Sequence, residues 1–492
     1  MTADARASAG RNATPPPPPR KAGAGGALDR FFKMSERGSS PLQEVRGGVA
    51  TFFTMAYIVV LNPIILSGAT DKFGNHLSQG QLVTATCLVA GVMTIIMGVV
   101  GNIPLAIAAG LGLNGVVAFQ IAPQMSWPDA MGLVVLSGIA IVVLVVTGLR
   151  ELIMDAIPLA LKQAIGVGIG LFIAFLGLVD AGFITRTPDA SGSAVPVTLG
   201  PDGQLQGWPT LVFCLGVLLT FILLIRKVKG AILIGIAGMT VLSMVLNAVA
   251  DVPDGQWGLI QPDMPDAVVG TPDFGLIGDV SLFGAFAEVG VLTAVVFVFT
   301  LMLSDFFDAM GTIIGVSNEA QLLDENGKLP GIGRVLLVDG VAAVAGGAAS
   351  CSSNTCFVES TAGVGEGART GFANVVTGGI FLGALFLTPL ATVVPYQAAT
   401  PALVVVGFLL MTQVKSIDWD DWAIAVPAFL TIVLMPFTYS ITNGIGAGFL
   451  AYVAIKAATG KAREVPWLLW IVAAFFLVYF GMDPVEQILG IK

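Results

Sequence analysis

The chain has 492 residues, 55% of them hydrophobic and only 11% charged, with a formal net charge of −9. An ordinary soluble domain carries about a quarter charged residues, so this composition leaves too little polar surface for a water-soluble globule of such length. It excludes a soluble enzyme, and the absence of a basic patch with interleaved aromatics argues against nucleic acid as a partner. What remains is an all-α polytopic membrane protein.

Taken in order, residues 1–27 are rich in Ala, Gly, Pro and Arg and contain "PPPPP", which predicts a disordered tail. No short apolar core precedes a cleavage site there, so the stretch reads as a tail, not a cleavable signal. Residues 28–47 begin "LDRFFKMSERGSS", which suits either a short helix lying at the membrane surface or a solvated linker. Apolar runs follow at 48–67, 82–100, 103–120, 130–149, 157–180, 209–226, 230–250, 287–316, 334–349, 354–369, 371–394, 397–414, 421–439 and 442–459. A run of about 20 apolar residues crosses ~30 Å of hydrocarbon, which predicts fourteen spans. The stretch 466–481 is either one more crossing or a helix at the interface.

Charge tests this topology. With the N-terminus and its eight basic residues in the cytoplasm, alternation puts Arg150, Lys162, Arg226, Lys227, Lys229, Lys328, Arg334, Arg369, Lys415, Lys456, Lys461 and Arg463 inside. Only Lys72 and Arg186 fall outside, as does the Asp-rich stretch 251–288. That is the distribution the positive-inside rule demands, and a shift by one early span would destroy it.

Two spans do not read as simple lipid-facing helices. Residues 103–120, "IPLAIAAGLGLNGVVAFQ", place Asn114 among glycines, and residues 346–360, "GGAASCSSNTCFVES", are nearly all small or polar. Non-helical backbone at membrane depth is tolerated only where protein or a water-filled cavity satisfies it. These are the third and tenth spans, hence the third of each set of seven, and paired interrupted spans point to a transporter's binding site. Because seven is odd, the second set starts from the opposite side and the repeats are inverted.

Acids stand out against this apolar background, since a charge at the bilayer centre costs about 2.5–3.5 kcal/mol on insertion scales. Asp305 and Asp308, in "SDFFDAMG" of the eighth span, are three apart and share a helical face. They suggest a common polar cavity with at least one acid protonated; a structural bond to a neighbouring helix is the plainer reading. Asp339, in "VLLVDGVAAV", could hydrogen-bond an adjacent broken span or touch a ligand. Glu359 follows the polar run 350–355, which predicts a short strand leading into a half-helix starting near Thr355. Glu359 would then lie in the first helical turn, beside free N–H groups, as a cap or as a ligand contact. Asn114 is a turn residue or a contact from the opposite broken span.

Other signals are weaker. The only histidine, His76, lies in a polar loop, and Cys87, Cys214, Cys351 and Cys356 sit in apolar or small-residue segments where a disulfide framework or metal site is not expected. "GLGLNG" lacks the βαβ context of a dinucleotide site. Glu366 and Arg369 read as a solvated pair.

The stretches "GGVATFFTMAYIVVLNPIIL", "AAGLGLN", "SDFFDAMGTIIGV", "VDGVAAVAGG", "FVESTAGVGEGARTGFANVVTG" and "MPFTYSITNGIGAGF" resemble, in this order, the AzgA-like purine permeases of the nucleobase–cation symporter-2 group, over roughly residues 28–480. The resemblance implies a uracil-permease-type fold of fourteen segments in two inverted repeats, with short strands in the third and tenth. A core domain (48–150 and 287–394) would slide against a gate domain (151–286 and 395–492) in an elevator-type cycle. It further implies Glu359 and Asp305 as the acids gripping the base, with Asn114 near it and Phe357 and Val358 offering ring or backbone contacts. Asp308 and Asp339, together with the two gripping acids, would serve proton coupling. The implied substrate is a purine nucleobase taken up with H+ across the plasma membrane by a homodimer, with no cofactor and no enzymatic turnover. Rival readings are an anion or other nucleobase transporter of the same fold and an intramembrane aspartyl protease. The first would not want carboxylates where its anion binds, and the second needs its two Asp on separate helices.

Overall fold

The computed structural model describes residues 26–148, 157–186, 197–200 and 203–481, apart from 251, 254, 255, 259, 266 and 325–327. Residues 1–25 of the expected tail, Arg150, three acids of the 251–288 stretch and the last eleven residues lie outside that description. Among the described residues, ten helices are long and apolar enough to cross a membrane. Four predicted spans are shorter or broken: Trp422–Phe437, Ile332–Ala348, and the third and tenth. The chain is thus an all-α membrane protein carrying short strands. The Trp467–Phe480 helix, at 1.5 Å per residue, spans about 21 Å and packs Phe476 against Phe449.

The first span starts at Pro41, earlier than the hydrophobic run suggests. Ser40 caps it, its hydroxyl accepting from the Gln43 N–H, with proline at the first helical position, where a missing N–H costs nothing. The helix ends at Met55 and resumes at Ile58. Pro63 lies inside the resumed helix, where its nitrogen cannot donate to the Val59 carbonyl and its ring crowds it. Tyr57 sits in the break.

The two broken spans meet each other. Ile107–Ala109 and Asn354–Cys356 form an antiparallel two-stranded ladder with Ile107 opposite Cys356 and Ala109 opposite Asn354. Gly110 N–H donates to the Ser353 carbonyl and Phe357 N–H to the Ala106 carbonyl, each at 2.9 Å. The ladder's outer edges are capped by side chains. Thr94, on the second span, donates to the Ile107 carbonyl (2.9 Å) and accepts from its N–H (3.0 Å). Asp339, on the ninth, accepts from Cys356 N–H at 3.2 Å. Backbone that would be orphaned in hydrocarbon is thereby satisfied.

Helix packing falls into matched pairs. The second span packs on the eleventh and the ninth on the fourth; the first packs on the eleventh and the eighth on the fourth; the fifth runs along the twelfth; the sixth pairs with the seventh and the thirteenth with the fourteenth. Contacts between the second and eleventh spans depend on glycine. A Cβ at Gly98 would overlap the Gly371 carbonyl oxygen, and one at Gly378 that of Gly91. Gly98→Ala should therefore cost about 1–3 kcal/mol by overpacking, read as a lower thermal unfolding midpoint in detergent.

At one end, the segment between Ala27 and Glu44 straps the loop joining the tenth and eleventh spans. Phe32 packs on Phe372, Arg37 donates to the carbonyls of Asn102 and Arg369, and Ser39 donates to Gly367. Glu44, fully buried, accepts from the N–H groups of Arg369 (2.9 Å), Thr370 and Ala373 (both 3.3 Å). The expected Glu366–Arg369 pair does not form. Glu366 instead pairs with Lys229, while the Arg369 guanidinium turns back to the Val364 and Ala368 carbonyls, because the strap already occupies its outer side.

Candidate functional site

The candidate site residues gather around the strand crossing. Asp305, fully buried in the Val291–Glu319 helix, accepts from the Ser353 hydroxyl at 2.6 Å through Oδ2, and its Oδ1 has no partner. Ser353 also carries the carbonyl bonded by Gly110, so one residue ties the eighth span to both broken ones. Asp308 lies one turn on and within charge–charge range of Asp305 and Glu359. Unlike Asp305 it is exposed, as are Gly311 and Gly315 on the same face, and a Cβ at either glycine would meet open space. An accessible stripe thus leads from Asp308 toward the helix's C-terminal end.

Glu359 departs in detail from its expected position. The helix does not start near Thr355, because residues 354–356 are committed to the ladder. A 3-10 turn, Val358–Ser360, comes first, and the α-helix is Thr361–Gly365. Glu359 sits in that turn, half-buried. Tyr57 donates its phenolic O–H to Glu359 Oε1, and Thr54 donates to the Glu359 carbonyl at 3.3 Å. The break in the first span therefore aims a donor at this carboxylate.

Asp339 belongs to the frame. Its Oδ1 receives Cys356 N–H, the Cys356 thiol at 3.2 Å and the Thr355 hydroxyl at 3.4 Å; Oδ2 is unpartnered. Asn114, in the short Leu111–Val116 helix after the first strand, is fully buried with neither amide atom hydrogen-bonded. Buried polar groups are almost always paired in folded proteins, so an amide with two free atoms is a natural ligand contact. Phe357 is buried, its N–H spent on Ala106 and its carbonyl accepting from Ser360 N–H at 3.2 Å, which leaves its ring edge at most. Val358 is exposed.

The hydroxyls around Glu359 are mostly structural. Ser350 donates to the carbonyls of Leu276 and Asp279, Ser353 to Asp305, and Thr355 to Asp339, while Ser360 accepts from Ala106 N–H at 3.0 Å. Ser350 and Ser352 adopt positive φ, 55° and 67°, a strained conformation for non-glycine residues of the kind that clusters at functional sites. Sequence reasoning missed Tyr57, Thr54 and Ser353. Only the proline following "AYIVVLN" hinted at any irregularity in the first span.

A family model described as "Permease family" matches residues 42–446. The chain belongs to this permease family. The permease is 38% identical to the guanine/hypoxanthine permease PbuG of Bacillus subtilis over 463 residues, covering 92% of this chain and 99% of that protein. It is 37% identical to the adenine permease AdeQ of Escherichia coli over 453 residues, covering 92% and 95%. Among solved structures, the transmembrane domain of the cyanobacterial bicarbonate transporter BicA superposes with a TM-score of 0.60 at 16% identity, covering 83% of this chain and 97% of that one. A murine solute carrier 26 family member A9 structure, an anion transporter in the inward-facing state, gives 0.59 at 11%, covering 90% and 73%. These two establish a shared fold. The permease is a multi-pass membrane transporter and not an enzyme.

Proposed function

We propose that the permease imports purine nucleobases (hypoxanthine, guanine or adenine) together with protons by sliding a core domain against a gate domain. The observation that carries this reading is the buried, unpaired Asn114 amide on the helix that follows one ladder strand, with Glu359 just after the other and Asp305 bonded beside it through Ser353. A purine is flat, neutral and rich in N–H donors; ionised carboxylates are acceptors only, and an amide supplies one of each. The named activities of PbuG and AdeQ agree with that chemistry. An anion at the same place would face carboxylates, which disfavours the same-fold anion reading for this chain.

Glu359 and Asp305 grip the base from opposite sides, Asn114 meets its edge, and Val358 with the Phe357 ring edge supplies apolar contact. Coupling falls first to Asp308, the acid open to the accessible stripe, with Glu359 and Asp305 sharing the proton; Asp339 could take one only on its free Oδ2. A proton entering with the base neutralises a carboxylate and lowers the cost of moving the loaded core through the membrane.

Fourteen spans in two inverted repeats account for the packing pairs. Exchanging span n with n+7 turns the second–eleventh contact into the ninth–fourth, the first–eleventh into the eighth–fourth, and the sixth–seventh into the thirteenth–fourteenth. The ladder maps onto itself, with Thr94 and Asp339 exchanging places as edge caps. The core comprises 48–150 and 287–394, the gate 151–286 and 395–492, and the N-terminus is cytoplasmic in a plasma-membrane homodimer. The stripe below Asp308 then opens to the cytoplasm.

Radiolabelled hypoxanthine uptake into cells expressing the permease, with and without a protonophore, tests this. Uptake should collapse with the gradient and be competed by guanine or adenine in preference to xanthine or uracil; absence of uptake for every purine would overturn it. Tyr57→Phe should raise the hypoxanthine KM about tenfold with little change in the amount of folded protein, since hydrogen bonds to charged groups contribute ~1.5–3 kcal/mol and 1.4 kcal/mol is tenfold.

A further inference from the structure

A cavity of about 190 Å³ lies away from the strand crossing, where the end of the first span, the third span, the C-terminal end of the Leu159–Asp180 helix and the start of the twelfth span converge. Its lining includes Gly68, Phe119, Asp180, Trp257, Tyr396 and Gln397. We propose that it is an outer subsite that binds a purine nucleobase before it reaches the strand crossing; this rests on the transport reading above.

Three features support a nucleobase. First, size: an engineered cavity of about 150 Å³ admits benzene, so this one takes a somewhat larger ring system. Second, two acceptors stand ready. The Asp180 carboxylate makes no hydrogen bond or ion pair with the described residues, and Gln397, only 7% exposed, has its Oε1 buried without a partner. A buried acceptor left unpaired is costly, and a ligand carrying N–H groups relieves it. Third, the walls are aromatic. Trp257 is held by its indole N–H to Asn247 Oδ1 at 2.9 Å, Tyr396 donates to the Ile64 carbonyl at 3.3 Å, and Phe119 packs edge-on to Tyr439. Phe119 and Tyr396 offer ring surface against which a flat heterocycle stacks, with the fully buried Trp257 backing the wall. An organic cation would also suit a carboxylate among aromatic rings. The Gln397 amide, with donor and acceptor side by side, favours the heterocycle, whose edge alternates the two.

The arrangement also suits a route. Phe119 lies further along the same span as Asn114, and Gly68 and Asp180 end their helices on the side that the charge distribution puts outside. No residue is shared with the strand-crossing site.

Equilibrium dialysis of radiolabelled hypoxanthine against the purified full-length permease decides the matter. The wild type should bind two molecules per chain, the second at least tenfold more weakly. Glu359→Gln should keep the weaker class alone, whereas Asp180→Asn and Gln397→Leu should each keep the tighter class alone, its retention showing that the variant is folded. Wild-type saturation at one molecule per chain overturns the outer subsite and leaves the transport reading standing. So does a weaker class that survives both outer variants, or one displaced by choline and not by guanine. No purine binding by any form of the protein defeats both.

Discussion

In the Glu359→Gln permease, hypoxanthine uptake should fall roughly a hundredfold while the protein accumulates in the membrane at wild-type levels. The argument starts from the bond that Tyr57 makes to Oε1, which under the proposed binding mode leaves Oε2 to accept from the ligand. Glutamine keeps the shape but replaces one oxygen with a donor. Either the Tyr57 hydroxyl or the ligand N–H then meets an N–H group, and a charge-assisted bond of ~1.5–3 kcal/mol is lost. Proton dependence should weaken in the same variant, because an amide does not titrate. Asp305→Asn should behave alike for a related reason: Oδ2 is committed to Ser353, and only Oδ1 is free. Unchanged KM and unchanged protonophore sensitivity in both variants would remove these carboxylates from the mechanism.

Glu44→Ala should lower stability by several kcal/mol without altering the hypoxanthine KM of the protein that remains folded. Glu44 is fully buried and takes three backbone N–H groups, those of Arg369 and Thr370 just before the Phe372–Ala384 helix and that of Ala373 in its first turn. Those groups have no intrahelical acceptor, and each buried donor left unsatisfied costs about 1–3 kcal/mol. The variant should show a lower thermal midpoint in detergent and reduced membrane abundance. Glu44→Gln, retaining one acceptor oxygen, should fall between it and wild type. A midpoint equal to wild type in Glu44→Ala would mean that water replaces the carboxylate at no cost.

Much of the architecture could be read from hydrophobic run length, because ~30 Å of hydrocarbon imposes nearly one helix length on every crossing. The broken spans were legible for the converse reason: "GGAASCSSNTC" is too polar and too small to face lipid as a helix. Their pairing was not, since strand register depends on which backbone edges meet, and side-chain composition does not encode that. The error over where the half-helix begins has the same origin. Thr355 has nothing against helix on its own, and the ladder partner at Ala108 claims it. Glu44 passed unnoticed because a single acid near a basic segment looks like solvated surface, and only a strap folded back over the eleventh span makes it buried. Asp305 and Glu359 stand out in the sequence by their expense in the bilayer, while Tyr57 is hidden among neighbours of ordinary apolar character.

The ladder between Ile107–Ala109 and Asn354–Cys356 has a consequence for biogenesis. The earlier strand leaves the ribosome about half a chain ahead of the edge it pairs with among the described residues, so the segments made before it enter the bilayer carrying peptide groups that lack their partner. Until the later strand arrives, that half must stay near the translocon's wet interior or under a chaperone's protection. Truncation anywhere before residue 354 should thus yield a nascent protein that the quality-control proteases recognise, however greasy its completed helices.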